Sequence, residues 1–204
     1  MNQYLALELA STIRHDGHGG VIDDLADTQG LTTWLRDQAD LLADWNDTDS
    51  ITVGEAARSE VVAVRAAVRA LFARAVRPGP PSPADASRLL PVDQALARIN
   101  TATARQPVTP MLDWPEDGAP KSILRSTEPD PVIRLTATLA RSAIDFLTGP
   151  QRTLLRACTA PRCVRYFVKE HGRQEWCKAS CGNRARAARH YQRHRPPTEP
   201  GPRP

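Results

Sequence analysis

Aromatic side chains are scarce in this 204-residue chain, at 5% of the total, while alanine and leucine are abundant. That balance disfavours a β-sandwich and favours helices. No stretch approaches the roughly 20 continuous apolar residues that a membrane-spanning helix needs. The opening MNQYLALELASTIRHDGHGG has no basic segment before its short apolar run and no small-residue cleavage site, so it does not read as a secretory signal. A cytoplasmic location is therefore expected. P-loop, GxGxxG, HExxH and GxSxG patterns are also missing, and no enzymatic activity is expected. The length suits one globular domain with a small appendage, or two modest domains, and is ample for a real core.

Acidic residues are missing from one region in particular. The formal net charge of +4 conceals 15 basic and 20 acidic side chains in residues 1–155, a net −5. Residues 156–195 hold 11 basic side chains and only Glu170 and Glu175, a net +9. An acidic body is thus joined to a compact basic unit, the electrostatic footprint of a polyanion-binding surface.

Along the body, Leu5 to Ile13 is predicted helical and HDGHGG a polar turn. Thr28 is placed to cap a helix running to Trp45, with Leu31, Trp34, Leu35, Leu41, Leu42 and Trp45 as its approximate apolar stripe. Residues 54–76 form the clearest helix, since Val61, Val64, Val68, Leu71 and Phe72 recur at spacings of three and four. RPGPPSP at 77–83 must break it and act as a stiff connector. Residues 84–105 contain Pro91 and are predicted as two short helices. Residues 109–126 hold two short apolar runs flanking PEDGAP, a β-hairpin signal. Asp130 then caps a helix with Pro131 in its first position and Gly149 as its stop. The tail PPTEPGPRP at 196–204 is too rich in proline to fold and is expected to be disordered. No internal repeat is present.

Cysteine is rare, and its placement is informative. Cys158, Cys163, Cys177 and Cys181 are spaced C-x4-C-x13-C-x3-C and are the four cysteines of the chain. Two close pairs separated by a dozen or so residues suit a tetrahedral zinc site, because each pair sits on a turn and the intervening chain returns as a hairpin. That hairpin is expected within CVRYFVKEHGRQEWC, with Tyr166 or Phe167 and Trp176 flanking HGRQ. Cys177 and Cys181 are four residues apart, so one helical turn points both sulfurs the same way. Two disulfides, or buried free thiols, are the competing readings; a reducing compartment and the tight clustering weigh against both. Four thiolates would close the site to substrate water, which makes its single zinc structural.

The basic helix following the cysteines carries Arg186, Arg189 and Arg193 at i, i+3 and i+7, with His190 and His194 beside them. Arg184 and Arg195 extend the positive surface. Ala185, Ala188, Tyr191 and Gln192 occupy the other side and are expected to pack on the metal module. Arginine offers planar paired donors to phosphates and guanine edges, and a helix fits the major groove. Double-stranded DNA is the expected partner. An ordinary solvated face, or docking on the acidic body (residues 1–55 hold 2 basic and 11 acidic side chains), is the alternative.

The stretch 158–195 resembles the CGNR zinc finger, whose tetrapeptide is here Cys181, Gly182, Asn183 and Arg184. DDLADTQGLTTWLRD (23–37), ALARIN (95–100) and LARSAIDFLTG (139–149) resemble the ABATE domain that usually precedes that finger. The resemblance implies a bacterial transcription regulator, with the four cysteines as zinc ligands and the basic helix as the DNA element. It also implies a mainly α (α+β) fold: a helical regulatory domain with a small β component over 1–150, then a zinc finger over 151–195. Gly182 is read as permitting close backbone approach, and Asn183 as supporting a cysteine sulfur or local backbone. The chain departs from the family near its start, with Ser11-Thr12 where an Asn-Thr pair is expected.

Two other function classes remain open from the sequence. An RNA-binding zinc protein would use the same helix, although the aromatic platform of single-strand readers is missing. A small-molecule binder or enzyme would use the body, where His15, Asp16, His18, Asp23 and Asp24 form a His/Asp cluster able to hold a metal. Trp34, Trp45 and Trp114 are read as core anchors. A homodimer and an unknown small-molecule effector are compatible with the regulator reading.

Overall fold

The structure is a computed structural model that describes residues 4–16, 18, 20–45, 53–85 and 89–194, without the side chains of 43–45. Its helices are α1 (Leu5–Ser11), α2 (Thr28–Asp37), α3 (Glu55–Ala75), α4 (Val92–Ala104), α5 (Pro131–Thr148) and α6 (Ala179–Arg193). Three antiparallel hairpins are interspersed: β1 (Ile13–His15) with β2 (Val21–Asp23), β3 (Thr109–Asp113) with β4 (Lys121–Arg125), and β5 (Leu155–Ala157) with β6 (Tyr166–Val168). The mainly helical fold with small hairpins matches the sequence expectation.

Helix α3 is the central post. Its predicted apolar face, Val61, Val64, Val68, Leu71 and Phe72, is buried throughout. Against it pack α1 through Leu5 and Leu9, α4 through Ala95 and Ile99, and α5 through Leu135, Leu139 and Phe146. Small alanines at the crossings let the helices approach closely, while Phe72 and Phe146 fill the centre with ring centroids 5.0 Å apart. Asp130 caps α5 as read, accepting from the amides of Val132 and Ile133. Pro131 sits in the first turn.

Several local expectations are corrected. The first helix stops at Ser11, and Ile13–His15 instead pairs antiparallel with Val21–Asp23. Helix α2 is capped by Asp27 and not Thr28: the Asp27 carboxylate accepts from the Gly30 amide at 2.7 Å, while Thr28 is already helical. That helix ends at Asp37, and a 3-10 turn follows over Ala39–Trp45. Only one helix, α4, is seen in the described part of 84–105, beginning directly after Pro91. Residues Ser82–Asp85 form a turn instead, because their side chains are drawn into a buried network with Arg69.

The β3–β4 hairpin forms where predicted, yet it stands out from the body with Met111, Leu112 and Leu124 exposed. Trp114, read as a core anchor, is 66% exposed beside it. Trp34 is buried as expected, and the Trp45 side chain lies outside the described residues, as does the tail 196–204.

Hairpin β5–β6 is shared property. Leu155 and Tyr166 are buried in the same core as α1, α3 and α5, and the Tyr166 ring meets Phe72 edge-on at 5.6 Å. Arg69 stitches this junction. It donates to both oxygens of Asp85, to the carbonyls of Ala10 and Val164 and to Ser82 Oγ, while Tyr166 Oη donates to Asp85 at 2.7 Å.

Candidate metal centre and its basic helix

The first cysteine pair lies in the turn of hairpin β5–β6. Cys158 follows β5 and its amide donates to the Arg165 carbonyl at 2.9 Å; the Cys163 amide donates to Ala160 at 3.0 Å. Arg162 takes a left-handed φ of 65° to bring the chain around between the two cysteines. This corrects the predicted hairpin between Cys163 and Cys177. Tyr166–Val168 is strand-forming, but it pairs backward onto Leu155–Ala157, where Leu155 and Tyr166 reach the core. The polar stretch 169–176 crosses by turns, with Gln174 donating to the His171 carbonyl.

The second pair straddles the start of α6. Cys177 precedes the helix, and Cys181 lies in its first turn, where the amides of Cys181 and Gly182 both donate to the Lys178 carbonyl. One ligand atom from each of the four cysteines falls within 4.8 Å of all the others. The Cys163–Cys177 and Cys177–Cys181 sulfurs are 3.7 and 3.5 Å apart. Those spacings are far too long for a disulfide, whose sulfurs bond at about 2.05 Å. They match the edge of a tetrahedron with Zn–S bonds of about 2.3 Å, which is roughly 3.8 Å.

Protonation chemistry points the same way. Hydrogen bonds from Cys158 and Cys177 pull the Cys163 thiol far below its ordinary value, whereas hydrogen bonds with Cys158 and Cys163, with burial, push Cys177 up. The donor set therefore fits one zinc ion held by Cys158, Cys163, Cys177 and Cys181, with no position left open for water. Cys158, Ala160, Cys163, Phe167 and Cys181 are buried together as a small second core, flanked by Trp176.

Each residue of the CGNR tetrapeptide finds a distinct use. Gly182 is buried under the Trp176 ring: a Cβ there would lie 3.1 Å from Trp176 Cε3. Arg184, and not Asn183, contacts the metal ligand, donating from Nη2 to Cys181 Sγ at 3.1 Å. Asn183 is exposed and accepts from the Arg186 guanidinium, so it supports a basic side chain and not a sulfur. A donor to a ligating sulfur offsets part of the charge of a four-thiolate zinc centre. The N-terminus of α6, placed at that centre, adds its own positive end.

Arg186, Arg189, His190 and Arg193 are all exposed on α6, while Arg195 lies outside the described residues. The Arg189 guanidinium lies 5.7 Å from the centre of the Trp176 ring, and the His190 and His194 rings are 4.4 Å apart. Ala185 is buried and Ala188 half-buried, as expected, but Gln192 is exposed and Tyr191 is 76% exposed. The metal module covers only the first turns of α6, and the remainder projects into solvent. Among the described residues, no ion pair joins an α6 arginine to a carboxylate.

The His/Asp cluster of the body does not assemble a metal site. Asp23 is held bidentately by Arg65, Asp24 pairs with Arg14 at 2.6 Å, and Asp16 accepts from the amides of His18 and Gly20. Among the described residues, only the four cysteines group as metal ligands. Burial pushes the Asp23 carboxyl up, but the Arg65 hydrogen bonds and charge, with the Leu25 amide, outweigh it and hold the group below its ordinary value. Thr12, the retained half of the departed Asn-Thr pair, is buried and accepts from Arg65 at 3.0 Å. Sequence reasoning missed Arg184 as a sulfur donor, Trp176 as the clamp, and the Arg69–Asp85–Tyr166 junction. Of these, only Trp176 left a sequence signal, as the lone aromatic beside Cys177.

Two family models match the sequence. ABATE, described as "Putative stress-induced transcription regulator", matches residues 3–150, and the CGNR zinc finger matches residues 154–194. No curated protein matches the chain. With a four-thiolate centre that includes the cysteine of the CGNR tetrapeptide, and with most of the chain matched before it, the protein belongs to the ABATE family and carries a CGNR zinc finger built for one structural zinc ion.

Proposed function

We propose that the protein is a DNA-binding transcription regulator of the cytoplasm, nucleoid-associated and without catalytic activity, in which the body senses a signal or dimerises. The observation that carries this reading is the unneutralised cationic face of α6. Arg186, Arg189 and Arg193 are exposed, the helix is anchored at one end to the metal centre, and the acidic body offers these arginines no carboxylate among the described residues. That weakens the alternative of docking on the same chain. Duplex DNA is preferred over single-stranded RNA because α6 exposes a row of arginines but only one aromatic, Tyr191, too few for a stacking platform. Phosphate contacts would set affinity, and one or two arginines would read base edges.

Fluorescence anisotropy of the zinc-loaded protein on mixed-sequence duplex, at several salt concentrations, tests it. Submicromolar binding that weakens steeply with salt and is lost on chelation is expected. Replacing Arg186, Arg189 and Arg193 with Ala should flatten the log–log salt slope by about 2.7, at roughly 0.9 per lost phosphate contact, without loss of zinc. Unaltered binding by that variant refutes α6 as the contact surface, and no binding at low salt refutes the reading as a whole.

A further inference from the structure

A cavity of about 420 Å3 opens between α5, the base of hairpin β3–β4 and the 3-10 turn after α2. Its size falls within the range of small-molecule sites, about 300–1,000 Å3. Helix α5 presents Arg134, Thr138, Arg141 and Ser142 to it, and the hairpin base adds Arg125 and Ser126. Leu5, Leu41 and Leu42 form an apolar floor. Among the described residues, three arginines and one aspartate, Asp145, line the space, a net positive charge.

Arg141 is the informative residue. Among the described residues, the two fully buried arginines each hold a carboxylate by two nitrogens: Arg65 holds Asp23, and Arg69 holds Asp85. Arg141 is half-buried, yet its partners are the Gln106 side chain and carbonyl and the Thr138 hydroxyl, all neutral. No carboxylate of the described residues lies within ion-pair distance of it. Burial lowers its pKa, and the more distant Asp145 offsets this only in part. A half-buried cation, oriented by neutral groups in an open cavity, is stabilised by whatever anion enters. The cavity of about 400 Å3 between α3 and α4 makes the contrast: it too is lined by arginines, but Glu60 pairs with Arg105 across 3.5 Å.

We propose that the α5 cavity binds a small organic oxyanion, a carboxylate or phosphate ester with a compact apolar body. Its acidic group pairs with Arg141 beside Arg125 and Arg134, and its body lies on Leu5, Leu41 and Leu42. Use of this site as an effector site rests on the regulator reading; occupancy does not, and is measured without DNA.

The test is thermal melting of the zinc-loaded full chain titrated with benzoate, with phenyl phosphate, and with benzamide as the neutral analogue. A saturable rise in melting temperature is expected with at least one anion and not with benzamide. A larger effect of benzoate identifies a carboxylate site, and a larger effect of phenyl phosphate a phosphate-ester site. Arg141→Gln should weaken the anion by about tenfold or more, the loss expected for a charge-assisted contact. Arg98→Gln, in the other cavity, should bind as the parent does. Absence of any shift at millimolar anion, an equal shift with benzamide, or parent-like binding by Arg141→Gln overturns the proposal. Should Arg141→Gln fail to fold, Arg125→Gln on the exposed hairpin base decides: weakened binding supports the site, and unchanged binding overturns it.

Discussion

Asp85→Ala removes the carboxylate that Arg69 and Tyr166 share where the metal module meets the helical body. Arg69 and Asp85 are 4% and 6% exposed, and the pair is bidentate at 2.7 and 3.0 Å. After the substitution Arg69 keeps only neutral acceptors, the Ala10 and Val164 carbonyls and Ser82 Oγ, and its charge is stranded. Breaking one side of a buried pair costs about 3–5 kcal/mol. Tyr166→Phe deletes one hydrogen bond but leaves the ion pair, and should cost only about 1 kcal/mol. The double replacement Arg69→Met with Asp85→Leu removes both charges and should be less destabilised than Asp85→Ala alone. Urea unfolding in saturating zinc, followed by helical circular dichroism and by zinc release to a chromogenic chelator, measures all three. Both signals should move together, because Tyr166 belongs to the core of α3. A loss below about 1 kcal/mol for Asp85→Ala, or well-separated midpoints in the parent protein, would refute the reasoning.

Three further outcomes follow from the same geometry. Gly30→Ala should destabilise the protein although helix propensity favours alanine by about 1 kcal/mol, since the new Cβ would lie 2.1 Å from the Asp24 carbonyl oxygen; a raised melting temperature would contradict the close approach of α2 to that loop. Asp23 has a lowered carboxyl pKa, so its contribution is present above the unfolded value near 4 and is lost as pH falls through the lower folded value. The urea-midpoint gap between the parent and Asp23→Asn should therefore shrink below about pH 4, while loss of zinc in acid affects both alike; a gap that stays constant would refute the pairing with Arg65. Cys177→Ser should abolish stoichiometric zinc and melt α6, whose 15 residues are marginal alone, while the β5–β6 hairpin stays packed on α3; unchanged zinc content would rule out the four-cysteine centre.

What could be read from the sequence tracks the length scale of the cause. Periodicity is a property of one segment, so α3 and its buried face were legible, as were the capped α5 and the β3–β4 hairpin. The spacing of the cysteines likewise encoded the metal centre, because ligand geometry constrains sequence separation directly. Cap choice turned on one residue of backbone register, and Asp27 took the place given to Thr28. The pairing of β6 was settled by a contact that no local pattern records. Tyr166–Val168 looked equally able to pair forward, and only the fit of Leu155 and Tyr166 into the body decides the partner. Arg69, Arg65 and Arg141 were invisible for a related reason. An arginine on an amphipathic helix looks solvated until its carboxylate arrives from a segment 16 or 42 residues away, or fails to arrive at all.

Strand β6 explains why finger and body are not independent modules. Successive side chains of a strand point to opposite faces. Tyr166 turns into the core with Phe72 and Leu155, whereas its neighbour Phe167 turns into the small core around Cys158, Cys163 and Cys181. One three-residue strand is thus a wall of both compartments. The hydrogen bonds that Ser82 and Arg69 make to the Val164 carbonyl pin the chain one residue after Cys163. Zinc fixes the other side of that cysteine. The position of α6 is set from Cys181 and Gly182, so a displacement of β6 against the body must be absorbed either in the metal geometry or in the helix that carries Arg186, Arg189 and Arg193.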